Sequence, residues 1–447
     1  MRRRSPTRTL HATIVTATVL VACTSSPSPP DDEPSPRATT PTTSASPTQT
    51  PAPTEAPEHE TVRVTGRRVS IRPPHRGSFR VVGLYPWQAS RCVDAERPTL
   101  DGRYPGTLSI RADDGGTLTV VVTLEFQAYL EGIAEVPPTW PTAALEAQAI
   151  AARTYVLSRT GWSGEQGREL GTSICGTADC QVYGGIPRPR PPGLHRWYRA
   201  VRETRGQVLL SGDRPADTVY FSTSNGRTYG NEEVFGGSPL PYLRGVVERD
   251  DGASPTSRWR VELPARDLTT VLRAGGSWPR GAPITSVSVA GSTVRLAGGG
   301  QSRSIDAGSL RDAVNTWAPC LLPHRYPSDG LPVTIPSGWF DLSSSRRALV
   351  VEGRGWGHGV GMVQWGAYGK ARRGWSAERI LAFYYGGLEP KRYAEPGTVQ
   401  VVVATGLRSI TVKPSASGAR LGGRTLARRP LRVTGGDEVT VTGTAPA

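Results

Sequence analysis

The sequence predicts an α+β fold, with mixed antiparallel sheets and a few packed helices. Three observations carry this. Short β-branched runs alternate with turn residues between 61 and 123. An alanine-rich segment at 142–156 repeats its apolar residues at helical spacing. A later stretch, 353–369, holds seven glycines, a density that no ordinary core strand or helix tolerates. From residue 61 onward the chain is too long for one small core, so one large domain with subdomains, or two domains, is expected.

The first element is a leader. Arg2, Arg3, Arg4 and Arg8 precede a short apolar run, 12–22, too short to span a bilayer as a mature helix. It ends in Leu20-Val21-Ala22-Cys23, which resembles a bacterial lipobox. The expectation is a signal peptide over 1–22 and a lipid anchor on Cys23, with the protein exported and held on the outer face of the cytoplasmic membrane, facing the wall. An ordinary secretory signal is the alternative. One acyl chain binds only marginally, so a two- or three-chain anchor is implied. Residues 23–60 are dominated by Pro, Ser, Thr and Ala and carry six acids. They cannot bury enough apolar surface to fold and read as a disordered, Pro-stiffened spacer.

The formal net charge is +15. Removing the four leader arginines, and setting aside the acidic spacer, leaves about +16 on 61–447. So basic a domain prefers an anionic partner such as wall polymer or anionic lipid headgroups. Nucleic acid is discounted because no recognisable motif for it accompanies the charge. Many basic residues are dispersed, as in Arg188, Arg190, Arg196, Arg199, Arg202 and Arg205, and read equally as solvated surface. Apart from Cys23 there are four cysteines, an even count that suggests disulfides outside the cytoplasm. Cys175 with Cys180 would close a small loop, leaving Cys92 with Cys320. A zinc site using Cys175, Cys180 and His195 is the rival. It is disfavoured, because the spacing is not C-x-x-C and a fourth ligand is not evident. No metal or other cofactor is expected.

Strand signals follow at Val62-Arg63-Val64, at 79–82, at 107–110 and at 117–123, with Asp113-Asp114-Gly115-Gly116 as a turn. Residues 61–104 form an N-terminal β region. A short helical segment, 127–134, leads to Glu135 and then Val136-Pro137-Pro138, and Trp140 follows. The helix at 142–156 begins after Pro141, where Thr142 can cap it, and Leu145, Ala149, Ala152 and Val156 line one face. The proline pair fixes the chain just after Glu135. A carboxyl group near apolar and aromatic groups can stay protonated near neutral pH, which suits a general acid. Residue type alone does not single it out, since Glu125, Glu131 and Glu146 compete and an acid near a helix end is usually just solvated.

In the glycine block, Trp356, His358, Trp365 and Tyr368 alternate with bare backbone, a combination that suits a polysaccharide groove. A dinucleotide site would need a preceding strand, a following helix and an acid on the next strand, and an exported protein has no nicotinamide pool. The alternative is a tight structural loop with His358 as a packing residue.

Two blocks then carry a resemblance. One is Tyr129-Leu130-Glu131-Gly132-Ile133-Ala134-Glu135-Val136-Pro137-Pro138-Thr139-Trp140-Pro141, continued by Leu145, Ala147-Gln148-Ala149 and Ala151-Ala152-Arg153-Thr154-Tyr155. The other is Gly355-Trp356-Gly357-His358-Gly359-Val360-Gly361-Met362-Val363-Gln364-Trp365-Gly366-Ala367. With Gln181-Val182-Tyr183-Gly184-Gly185 and Tyr220-Phe221-Ser222-Thr223-Ser224-Asn225-Gly226 between them, they resemble the SpoIID/LytB family of bacterial cell-wall proteins. The resemblance spans 105–390, with 262–350 matching only in outline. Val136, Val363, Trp365 and Asn225 depart from the family pattern. Residues 391–447 lie beyond it and read as a C-terminal region of short strands.

The resemblance implies a SpoIID-like fold and a lytic transglycosylase that cleaves MurNAc–GlcNAc β-1,4 bonds of peptidoglycan glycan strands, with peptide-free strands as the expected substrate. Glu135 matches the catalytic acid. His358, Gln364, Ser222, Ser224 and Tyr183 are the implied substrate-binding residues. Other members are amidase enhancers, so a non-catalytic wall-binding module that stimulates a cell-wall amidase is the alternative.

Overall fold

Strands from the two ends of the chain are interleaved in the sheets of this computed structural model. It describes residues 61–73, 77–84, 100–133, 135–164, 173–187, 190–328, 330–345 and 347–445. The leader, Cys23, the spacer up to residue 60, and Cys92 lie outside the described residues.

A seven-stranded sheet runs in the order Arg424–Leu426, Ala419–Leu421, Arg68–Arg72, Thr107–Asp113, Thr117–Glu125, Thr398–Leu407, Ile174–Cys175. Its centre is the hairpin legible in the sequence. Leu108, Ile110, Leu118, Val120 and Val122 alternate inward and are fully buried, and the Gly116 N–H donates to the Asp113 carbonyl across the turn. A six-stranded sheet runs Thr61–Gly66, Val439–Thr444, Leu431–Thr434, Ser409–Pro414, Ser78–Leu84, Leu100–Pro105. Val62, Phe79, Val81, Val412, Val433 and Val441 of this sheet join the core that Leu108 and Val120 occupy.

The two terminal regions read from the sequence meet in these sheets. Thr61–Gly66 pairs antiparallel with Val439–Thr444, and Thr398–Leu407 pairs with Thr117–Glu125 in the middle of the larger sheet. The physical reason is that short strands are not stable alone and take whatever partner buries their apolar face. Regions 61–104 and 391–447 therefore complete each other.

Eight helices occur among the described residues. α1 is Phe126–Glu131, shorter than the 127–134 segment read from sequence. It stops at Gly132, where a Cβ would lie 2.4 Å from the Tyr183 ring, and Ile133 turns away to bridge the Tyr183 backbone. α2, Thr142–Arg159, is buried through most of its length. Its cap is Pro141 rather than Thr142: Thr142 is already helical and makes no capping bond, and the Pro141 carbonyl accepts from Ala144 and Leu145. α3 is Leu194–Glu203 and α4 the short turn Asn231–Val234.

The segment that matched the family only in outline has a core of its own. The strand Trp259–Pro264, α5 (Ala265–Ala274), the meander Ser286–Ala290, Thr293–Gly298 and Gln301–Asp306, α6 (Ala307–Leu321) and the hairpin Phe340–Ser345, Ala348–Gly353 enclose Val261, Leu268, Leu272, Val294, Leu310, Val314 and Val351. The Asp306 carboxylate caps α6 by accepting from the Ser309 N–H at 2.9 Å. The chain then returns to the first core through the glycine block, α7 (Gln364–Arg372) and α8 (Ala377–Tyr384).

Candidate active site

Glu135 sits in the link between α1 and α2. The link cannot become helix, because Pro137 and Pro138 lack N–H donors and restrict the preceding residue. The side chain is half-buried, so its carboxyl group is held among protein groups and still reachable. The Val182 N–H donates to Oε1 at 3.0 Å, and the Tyr220 hydroxyl donates to Oε2 through a very short hydrogen bond. Desolvation pushes the carboxyl up to about 7, although both hydrogen bonds pull it down by favouring the charged form.

The donors are themselves fixed. Gln181 is fully buried, and its amide nitrogen donates both to the Ala152 carbonyl of α2 and to the Tyr220 hydroxyl, each at 3.0 Å. Its oxygen accepts from the Tyr129 hydroxyl at 2.6 Å. The direction of every bond in this chain is therefore determined: Tyr129 to Gln181, Gln181 to Tyr220, Tyr220 to Glu135. Burial, and then the neighbouring Glu135, push the Tyr220 hydroxyl well above its ordinary range, so it remains a donor.

Tyr220 and Phe221 form a short strand parallel to Met362-Val363, which attaches the glycine block to this site. His358 Nδ1 accepts from the Val360 N–H at 3.2 Å, which leaves Nε2–H to donate to the Tyr220 carbonyl at 3.0 Å. Burial pushes the imidazole down to about 4, so it is neutral. Both nitrogens are thus engaged with backbone, and His358 holds Tyr220. The glycines are likewise explained by the protein's own backbone. Gly361 has φ +76°, and a Cβ there would lie 2.0 Å from the Val219 carbonyl oxygen. A Cβ on Gly357 would lie 2.6 Å from the Phe221 side chain.

The other candidates separate. Ser222 remains half-buried, its hydroxyl 3.1 Å from that of Thr223. Ser224 is buried and donates through both N–H and hydroxyl to Asp251 Oδ2 at 2.7 Å, a structural role. Gln364 starts α7, buried, with its amide 3.4 Å from that of Gln148 on α2. Tyr183 is buried between Tyr104 and Tyr129, with ring centroids at 5.9 and 5.4 Å. Ser224 and Gln364, like His358, spend their polar ends on the protein itself, while the buried Tyr183 hydroxyl has no hydrogen-bond partner among the described residues.

Large apolar side chains are exposed near the acid and along the glycine block. Val182 is exposed beside the N–H that holds Glu135, and the exposed Phe235 ring lies 5.2 Å from His358. Trp356 is exposed too, with its backbone bonded to Thr223 in both directions. A cleft of about 730 Å³ lies elsewhere, lined by Asn225, Trp259, Trp339 and Arg354 among others, and does not include Glu135.

Cys175 and Cys180 are joined by a disulfide with an S–S distance of 2.09 Å. The closed loop leads directly into Gln181-Val182. Neither sulfur is then a thiolate ligand, and His195 is exposed at the start of α3. Among the described residues no group of three His, Cys, Asp or Glu side chains has the arrangement to hold a metal. Cys320 is also disulfide-bonded.

Two features escaped sequence reasoning. Tyr220, Gln181 and Tyr129 stood within recognised motifs, but nothing local joined them. Lys370 of α7 is buried against Glu248, with both carboxylate oxygens at 2.9 Å, and against Asp250 at 3.0 Å. The Tyr384 hydroxyl of α8 completes that cluster with a short bond to Glu248.

Known proteins are similar to this chain in sequence. The family described as SpoIID, Stage II sporulation protein, matches residues 114–210, which include Glu135, Gln181 and Val182. An uncharacterised protein of Brachyspira hyodysenteriae is 30% identical over 339 residues, covering 74% of this chain and 82% of that protein. This chain belongs to the SpoIID/LytB family. Stage II sporulation protein D of Bacillus subtilis is 25% identical over 285 residues, 60% of this chain and 75% of that protein. The amidase enhancer of Bacillus subtilis is 25% identical over 294 residues, 57% of this chain but only 38% of that protein. Within the SpoIID match lie the second strand of the central hairpin, Thr117–Glu125, and α1, α2 and α3, so the matched stretch carries the acid and one of its two donors.

Proposed function

We propose that this SpoIID protein is a peptidoglycan lytic transglycosylase acting outside the cytoplasm, with Glu135 as its single acid and base. The observation that carries the reading is the Glu135 carboxyl, raised to about 7 yet held by two fixed donors. Such a group is protonated often enough to give up its proton and is stabilised once it has done so.

In the first half-reaction Glu135 donates its proton to the oxygen bridging MurNAc C1 and GlcNAc C4, and the C1–O bond breaks. The Val182 N–H and Tyr220 hydroxyl stabilise the carboxylate that remains. In the second half the carboxylate takes the proton from the MurNAc C6 hydroxyl, whose oxygen bonds to C1 as a 1,6-anhydro ring. The proton returns to Glu135 and no water is consumed. A second carboxylate, which most glycosidases need to activate water or attack C1, has no step to perform. The exposed Phe235 and Trp356 rings would offer flat apolar faces to sugars, and Val182 is exposed next to the N–H that holds Glu135.

Cys23 would anchor the protein to the membrane, and the spacer would give it reach into the wall. The amidase enhancer relative supports a second reading, in which the domain binds wall and stimulates an amidase without cutting glycan. Mass spectrometry of peptide-free glycan strands after incubation tests both. Products ending in 1,6-anhydroMurNAc support the enzyme. Intact glycan together with a stimulated amidase supports the enhancer.

A further inference from the structure

The strand Arg68–Arg72 alternates strictly, burying Val69 and Ile71 and exposing Arg68, Ser70 and Arg72. Its neighbours add to the charge. Arg72 is directly opposite Arg420, and Arg68 is directly opposite Arg111. Like charges facing each other across an antiparallel pair destabilise it. Arg111 is relieved by Asp113 at 3.0 Å. Arg420 donates to the Gly423 carbonyl at 3.0 Å, which orients the guanidinium without neutralising it. Arg68, Ser70, Arg72 and Arg420 line a cleft of about 470 Å³, and no acidic side chain lines it. The chain around the cleft has the same bias: residues 398–445 contain seven Arg or Lys and two acids.

We propose that this cleft binds a phosphodiester-linked anionic wall polymer, and that it does so independently of the chemistry at Glu135. Guanidinium forks match phosphate oxygens, and the sheet fixes their positions in advance. Arg68 and Arg72 are four residue steps apart along the strand, roughly 13 Å, so the charges are spaced for successive groups of a linear polyanion rather than for one small ion. The Ser70 hydroxyl lies between them, opposite Ser109. A membrane-docking face would set apolar or aromatic side chains among its arginines. The exposed large hydrophobic residues among those described are Val182, Val234, Phe235, Val247 and Trp356, and none belongs to these strands.

Binding of poly(glycerol phosphate) to the full chain, measured by calorimetry between 50 and 200 mM salt, tests this. The triple variant Arg68→Gln, Arg72→Gln, Arg420→Gln is expected to bind at least about tenfold more weakly. Its log–log salt slope should fall by about two, at roughly 0.7 counter-ions for each lost contact to a single-stranded polyanion. The triple Lys variant should keep most of the slope. Arg72→Gln alone removes one of two facing like charges, so it should fold and still lose about threefold in affinity. Unchanged binding by a folded triple variant, or by Arg72→Gln, overturns the proposal. So does tighter binding, per phosphate, to phosphatidylglycerol vesicles or to duplex DNA than to the polymer.

Discussion

The Tyr220 hydroxyl donates to Glu135 across 85 residues of sequence, while the Tyr220 carbonyl is held by His358. One residue therefore links the acid, which lies between α1 and α2, to the glycine block more than two hundred residues further along. The arrangement makes His358 a positioning residue, acting on Glu135 through Tyr220.

Glu135→Gln keeps the size of the side chain and removes its transferable proton. Turnover of peptide-free glycan to 1,6-anhydro products should fall about 100- to 10,000-fold, with glycan binding retained. Product mass spectrometry and a pull-down on the same glycan read the two effects. Wild-type turnover by the variant would remove Glu135 from the mechanism.

The raised carboxyl has a stability signature. Its folded value of about 7 exceeds the ordinary 4.5, so the folded state binds more protons between those values. Its contribution is fully present below about pH 4.5 and is lost as pH rises through about 7. Glu135→Gln should therefore be more stable than wild type at pH 8, by on the order of 1–3 kcal/mol, and nearly equal at pH 4. Urea unfolding at the two pH values measures this, and a pH-independent difference would contradict the assigned shift.

On the proposed mechanism the same group would set the pH profile of turnover. A general acid with a value of about 7 loses activity as pH rises through it. Tyr220→Phe deletes a hydrogen bond that favours the charged form, so the falling limb should move to higher pH while turnover drops. A limb that stays in place would mean that Tyr220 does not tune the acid.

His358→Ala should lower kcat about 10- to 100-fold and leave KM nearly unchanged, as loss of positioning does. A direct sugar-binding role would instead raise KM and spare kcat. Steady-state kinetics on soluble glycan decide between them.

Lys370→Met leaves Glu248 buried without its cation. Removing one partner of a buried pair costs roughly 3–5 kcal/mol, and guanidinium unfolding should show a loss of that size. A loss under about 1 kcal/mol would mean that the cluster is effectively solvated.

The sequence displayed whatever was local. The 107–125 hairpin announced itself by alternation and an Asp-Asp-Gly-Gly turn, and α2 by its apolar period. Partner choice among the terminal strands was hidden, because Thr61 and Thr444 meet through sheet pairing that no periodicity encodes. Glu135 was visible only through resemblance. Its partner Tyr220 was not, since a hydroxyl's target depends on the folded backbone. The glycine block pointed correctly to close approach. What approaches at Gly361 is the Val219 carbonyl and not a ligand, a distinction that residue types do not carry.

The pairing of Thr61–Gly66 with Val439–Thr444 also orders events in time. Val62 is fully buried only when a strand near the far end of the chain is in place. Until residues 439–444 are available, Thr61–Gly66 has an open hydrogen-bonding edge. A product cut short before 439 would leave that edge permanently unpaired, and open edges invite aggregation and degradation. Closure of this edge thus depends on residues that lie more than 370 positions away in sequence.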